Sequence, residues 1–218
     1  MQECLFYLIR HGESEGNARR EFLGHTDLPI TDKGRAQARS AALYLKAQAF
    51  APDAVYASPL CRAAETTDIA LAEISAPAPV YLDDLREIYA GDWEGRGFDE
   101  LDAAYPEARR LWREDIGHAQ PVGGEAVAHL YERVVACIKS LAKENLGKTV
   151  FIGTHATPIR ALEAYARGYG PDRMKELPWP TNASLSAFRS DGETIRCVFY
   201  SLDDFQDESI HAEGTLKY

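Results

Sequence analysis

Long apolar runs are missing from this 218-residue sequence. None approaches the roughly 18 residues that a membrane helix needs, so no membrane partner is expected. The opening stretch, MQECLFYLIRH, has no basic segment, no long apolar core and no small-residue cleavage site. It is read as part of the fold rather than a leader, and a cytoplasmic location is expected. Cysteine is scarce: Cys4, Cys61, Cys137 and Cys197 lie far apart and form no CxxC pair. That spacing argues against a disulfide framework and a zinc site, and the thiols are expected to be reduced and packed as small apolar groups. Positive charge is in deficit, with 24 Lys and Arg against 34 Asp and Glu and a net charge of −10. A global basic footprint for nucleic acid is therefore excluded. The sequence also lacks internal repeats, an HExxH pair, an EF-hand loop and a GxxxxGK[ST] phosphate loop. No metal and no cofactor are expected.

What is present is an ordinary globular composition, 45% hydrophobic, long enough for one domain with an insertion. Residues 1–218 are read as a single domain with a cap-like insertion at about 95–122. Short apolar runs alternate with helix-like stretches, which predicts an α/β fold with a mostly parallel central sheet flanked by helices. Cys4–Ile9, Ala54–Ala57 and Thr149–Gly153 read as buried strands, and Leu185–Phe188 and Ile195–Tyr200 as later ones around a Ser190–Gly192 turn. Helices are expected from about Asp32 to Ala49 with Thr31 as N-cap, from Ser58 with Pro59 at the first helical position, and from about Glu125 to Glu144. In the last of these Val127, Leu130, Val134, Ile138 and Leu141 form one apolar stripe. The polar, aromatic stretch around Phe98–Arg113 reads as a short helical excursion over the active site, too short to bury a core of its own.

Three of the predicted strands run straight into cationic or titratable residues. The first is followed by Arg10, His11 and Gly12, the second by Ser58 to Arg62, the third by Thr154 and His155. Ligands of open α/β sheets bind outside the carboxyl ends of strands. Parallel strands would thus gather Arg10, Arg62, His11 and His155 in one crevice. In so acidic a protein, the fitting partner for such a cluster is a dianionic phosphate on a small phosphorylated substrate. Each guanidinium offers a planar fork of donors, Arg62 sits in the first turn of its helix, and Asn17 adds a neutral amide. With no metal pattern, the arginines must neutralise the charge themselves.

These strings resemble the motifs of the histidine phosphatase superfamily, in the branch that includes cofactor-dependent phosphoglycerate mutase. RHGESEGN (Arg10–Asn17) is similar to its signature. GHTDLPIT with Gly34, YASPLCRAAETT (Tyr56–Thr67), LREIYAGDWEG (Leu85–Gly95), GTHATPIRAL (Gly153–Leu162) and Asn182–Ser184 follow in family order. The resemblance implies a phosphoglycerate mutase-like fold and a role for each matching residue. His11 is the expected nucleophile. Arg10, Arg62 and His155 are expected to hold the phosphate oxygens, with Asn17 a secondary ligand. Glu87 is the expected proton donor to the leaving oxygen, through a carboxyl pKa raised by desolvation, with Asp83, Asp84 and Asp92 as alternatives. In the family His155 is usually followed by two glycines; here Ala156 and Thr157 stand there, Ala156 still supplying a backbone N–H for phosphate. Ala126 likewise replaces a usual serine.

The implied activity is metal-independent phosphomonoester hydrolysis through a phosphohistidine. The alternative is a phosphoglycerate mutase using the same phosphohistidine. The short Arg96–Thr149 stretch, without extra arginine-rich or Pro-Pro elements, favours hydrolysis. A non-catalytic phosphate-binding relative is disfavoured by the intact Arg10, His11, Arg62, Glu87 and His155. His25, His118, His129 and His211 are read as ordinary residues, Trp93 as packing, and Asp203–Glu208 as a solvated acidic surface. Tyr89, Trp112 and Arg113 are left open between substrate contact and structure. A homo-oligomer is left open as well.

Overall fold

Cys4, Phe6 and Leu8 on one face of the first apolar run are buried, and on the other Ile9 is buried with Leu5 and Tyr7 half-buried, as suits a central strand covered on both sides. The computed structural model describes residues 2–211. In chain order its elements are β1 (Cys4–Arg10), α1 (Glu15–Ala18), β2 (Glu21–Phe22), α2 (Asp32–Ala47), β3 (Ala54–Ala57), α3 (Cys61–Leu71) and β4 (Val80–Tyr81). There follow β5 (Arg96–Gly97), α4 (Phe98–Ala104), α5 (Pro106–Glu114), α6 (Val127–Glu144), β6 (Thr149–Thr154), α7 (Ala156–Ala166), β7 (Leu185–Ser190) and β8 (Ile195–Leu202).

The main sheet has the order β4-β3-β6-β1-β7-β8. Its first four strands are mutually parallel, and β7 and β8 turn antiparallel at the far edge. The register places Arg10 beside Thr154 and Ala57 beside Gly153. The carboxyl ends of β1, β3 and β6 therefore reach the same rim.

Strand alternation sorts the core into two layers. Phe6, Leu8, Val150, Ile152 and Phe188 face the α6 and α7 side, where the predicted stripe Val127, Leu130, Val134, Ile138 and Leu141 is buried. Ile9, Val55, Phe151 and Leu185 face the other side and pack on Ala41 and Leu45 of α2 and Ala70 of α3. Phe98, Leu101, Trp112 and Ile116 of the excursion join the first layer.

Three local expectations need correction. The helix after β3 begins at Cys61 with Leu60 as a cap that makes no side-chain hydrogen bond, so Ser58 and Pro59 precede it. Arg62 stays in its first turn. The excursion is two helices rather than one, broken at Tyr105 because Pro106 disfavours a helical conformation in the residue before it. The 203–208 segment is not wholly a solvated surface. Phe205 stacks on Tyr44 at 4.9 Å, Gln206 is buried and donates to Asn182 O at 2.9 Å, and Asp203 accepts from Thr181 Oγ1 at 2.5 Å. The four cysteines are free thiols, as expected.

Candidate active site

The chain leaves β1 through a turn that tolerates no side chain at its third residue. A Cβ on Gly12 would run into the backbone carbonyl of Gly34. Gly12 N donates to Thr66 Oγ1 at 3.0 Å, and Thr66 Oγ1 donates to Arg62 O at 2.7 Å, tying the turn to α3. Ser14 then caps α1 with a reciprocal pair: its Oγ accepts from Asn17 N and its N donates to Asn17 Oδ1. Asn182 Nδ2 donates to the same Oδ1 at 3.3 Å and to His11 O at 3.1 Å. With Oδ1 occupied, Asn17 presents its amide N–H group to the cavity that it lines.

His11 is buried, at 4% exposure. Its Nδ1 lies 2.8 Å from Gly12 O. A carbonyl only accepts, so Nδ1 carries the proton and the lone pair is on Nε2. Burial first, then the charges of Arg62 and Arg10, push the His11 pKa well below the usual histidine range. The ring is therefore a neutral imidazole at neutral pH. His155 is fully buried against it, with ring centroids 5.3 Å apart. Its Nε2 meets Ser58 Oγ at 2.8 Å. Burial, Arg62, His11 and Arg10 depress its pKa in the same sense.

The two arginines are held by backbone carbonyls. Arg10 donates to Pro180 O at 2.5 Å. Arg62, 1% exposed, donates to Thr26 O at 3.0 Å and Gly24 O at 2.7 Å. Backbone carbonyls thus fix both guanidinium groups beside His11. The loop supplying the Arg62 acceptors is itself clamped by Glu94. That carboxylate accepts from His25 N at 2.7 Å, Thr26 N at 2.6 Å, Thr26 Oγ1 at 2.5 Å and Ala90 N at 2.9 Å.

Glu87 is partly buried and reaches the cavity. Its carboxylate accepts from Ile88 N at 2.9 Å and Thr157 N at 3.3 Å, and its carbonyl oxygen lies 2.9 Å from His25 Nε2. Asp83, Asp84 and Asp92 are exposed and do not line the cavity, and Asp83 pairs with Arg86. Ala156 and Thr157 form the first turn of α7, and neither has a positive φ. The positions where the family usually has glycine therefore impose no backbone strain here.

The structure thus brings Arg10, His11, Asn17, Arg62, Glu87 and Ala156 onto one cavity, with His155 seated against His11 rather than on the lining. Facing them are Phe22, Phe98, Trp112 and Trp179. Trp112 is a wall residue, Arg113 pairs with Asp102, and Tyr89 packs on His25 at 5.3 Å. His118 is exposed and pairs with Asp115 at 2.9 Å. His25 was expected to be ordinary, but it sits between Glu87 and Arg62's loop. Glu94 and Trp179 were given no role by the sequence, and Ser58 was read only as a helix start; the WEG string around Glu94 and the YASPLCRAAETT string around Ser58 are the signals that could have pointed to them. Among the described residues no group of three or more His, Cys, Asp or Glu could hold a metal ion. A neutral imidazole lone pair beside two buried guanidinium groups is equipped to accept a phosphoryl group.

Comparisons with known proteins give the family and its fold. The family profile of the histidine phosphatase superfamily (branch 1) matches residues 6–203. The chain is 33% identical over 185 residues to phosphoglycerate mutase-like protein 4 of Arabidopsis thaliana, covering 84% of this chain and 77% of that one. It is 35% identical over 185 residues to glucosyl-3-phosphoglycerate phosphatase of Mycolicibacterium vanbaalenii, covering 81% and 80%. The solved structure of Bacillus stearothermophilus YhfR superposes with a TM-score of 0.85 at 28% identity, covering 93% of this chain and 98% of that one.

Proposed function

The chain belongs to the histidine phosphatase superfamily, and on that premise we propose that it hydrolyses small phosphomonoesters through a phosphohistidine formed on His11. The observation that carries this reading is the His11 ring: neutral, with Nδ1 committed to Gly12 O and Nε2 left as the nucleophile. Arg10, Arg62 and Asn17 hold the phosphate oxygens, joined by the first-turn N–H of Ala156, and His155 supports the transferring group. Glu87 serves as the acid. A phosphorus–nitrogen bond forms at Nε2 as the ester phosphorus–oxygen bond breaks, and the leaving oxygen takes a proton from Glu87. Water then attacks the phosphohistidine, giving its proton to Glu87, and inorganic phosphate departs. Residues 95–122 act as a cap-like insertion over this site. Relatives named as phosphatases support water as the acceptor, as does the short Arg96–Thr149 stretch.

The test is chemical trapping. Brief reaction with a labelled phosphate ester followed by an alkaline quench should leave acid-labile, base-stable label on His11, and His11→Ala should lose both label and turnover. Near-normal turnover in His11→Ala, or label on Ser14 instead, would refute the proposal.

A further inference from the structure

The wall facing the phosphate cradle is aromatic and continuous. Trp112 and Trp179 stack with ring centroids 6.1 Å apart and planes at 24°. Phe22 meets Trp112 edge-on at 4.9 Å, and Phe98 completes the lining. Trp112 is 3% exposed and packs edge-on against Trp93 at 5.9 Å as well. Trp179 is held from another direction by Arg160, whose guanidinium carbon is 4.3 Å from its ring centroid. Arg160 is 5% exposed and does not line the cavity.

Charge on this cavity is divided just as sharply. Its lining cations among the described residues are Arg10 and Arg62, both beside His11. The other charged lining groups are the carboxylates Glu87 and Glu21, and Glu21 is already paired with Arg19 at 3.0 Å. A leaving group carrying its own carboxylate or phosphate would therefore meet rings and carboxylates, with no cation left to receive it. An apolar group would instead replace water along this wall, where Trp179 is the partly exposed ring.

Resting on the hydrolase reading above, we propose that the leaving group this site selects is uncharged and presents an apolar side, lying against the aromatic wall at Trp179, and that anionic leaving groups are turned away. Trp179 is the specificity-determining residue: it is the partly exposed member of the pair and belongs to the loop whose next residue, Pro180, anchors Arg10.

Four alkyl esters that all leave as alkoxides separate this from intrinsic reactivity: 2-phenylethyl phosphate, glucose 6-phosphate, 3-phosphoglycerate and ethyl phosphate. Either of the first two should exceed 3-phosphoglycerate in kcat/KM by about tenfold or more. Which of them leads tells an aromatic ring from the apolar face of a sugar. Trp179→Ala should lose about fivefold more on the leading ester than on ethyl phosphate, mainly through KM, with Trp179→Phe restoring much of it. A lead for 3-phosphoglycerate, or equal losses on the leading ester and ethyl phosphate, overturns the inference while leaving the hydrolase reading intact. Absence of turnover on every ester together with absence of label on His11 would instead sink the hydrolase reading.

Discussion

Two buried neutral histidines should make this fold acid-sensitive in a way that can be calculated. His11 and His155 are 4% and 0% exposed, and both have pKa values depressed well below the ordinary histidine range. In the unfolded chain each titrates near about 6.5. Above that pH both states are neutral and neither histidine changes stability. Below it the unfolded chain binds protons that the native site refuses, so stability falls with falling pH until the depressed native pKa is reached. Each histidine then costs about 1.4 kcal/mol per pH unit. Because the unfolded histidine is only partly protonated near about pH 6.5, the fall from about pH 7 to about pH 5.5 is roughly 1 kcal/mol each and roughly 2 kcal/mol for the pair. Urea unfolding at both pH values, on the wild type and on the His11→Gln/His155→Gln double variant, isolates the effect, because carboxylate titration is common to both. The wild type should lose roughly 2 kcal/mol more than the variant across this interval. Equal losses would mean that the native site already holds protons on these rings, and His11 could not then be a ready nucleophile.

Two further outcomes are expected. Glu87→Gln should lower turnover of alkyl phosphates by about 100-fold or more while sparing nitrophenyl phosphate, whose leaving group needs no proton; steady-state kinetics on both esters checks this, and equal losses would move the acid elsewhere. Because Arg10 and Arg62 carry the charge that a metal supplies in other phosphatases, turnover should survive excess EDTA; abolition by chelator with recovery on a divalent ion would contradict the arginine-based mechanism.

The parts of the fold that were legible in the sequence are those set by side-chain pattern. β1, β3 and β6 could be read because strands buried on both faces must be continuously apolar, and α6 because its stripe recurs at helical spacing. The strand-end positions of Arg10, His11, Arg62 and His155 followed from that. What escaped depends on partners distant in sequence. Ser58 has the composition of a helix cap, yet its hydroxyl meets His155, nearly a hundred residues on, and the helix waits until Cys61. His25 lies inside the GHTDLPIT string, but its contact with the Glu87 carbonyl oxygen at 2.9 Å is made across the fold. Trp179 sits in an irregular loop, where no periodicity says which way a ring points. Glu94 stood inside a familiar string, but its four hydrogen bonds are a property of the loop it closes.

The cradle and the ring wall have different origins in the chain. Arg10, His11, Arg62 and His155 are fixed at or just beyond the ends of central strands, where a displaced backbone would disturb the whole sheet. Phe22, Phe98, Trp112 and Trp179 sit on a two-residue strand, two short helices and a loop. A side-chain change on the wall leaves the strands of the cradle in place, whereas a backbone change at Trp179 reaches Arg10 through Pro180 O and one near Phe22 reaches Arg62 through Gly24 O. The alcohol that fits and the bond that breaks are thus joined at two loop carbonyls and otherwise built on different parts of the chain.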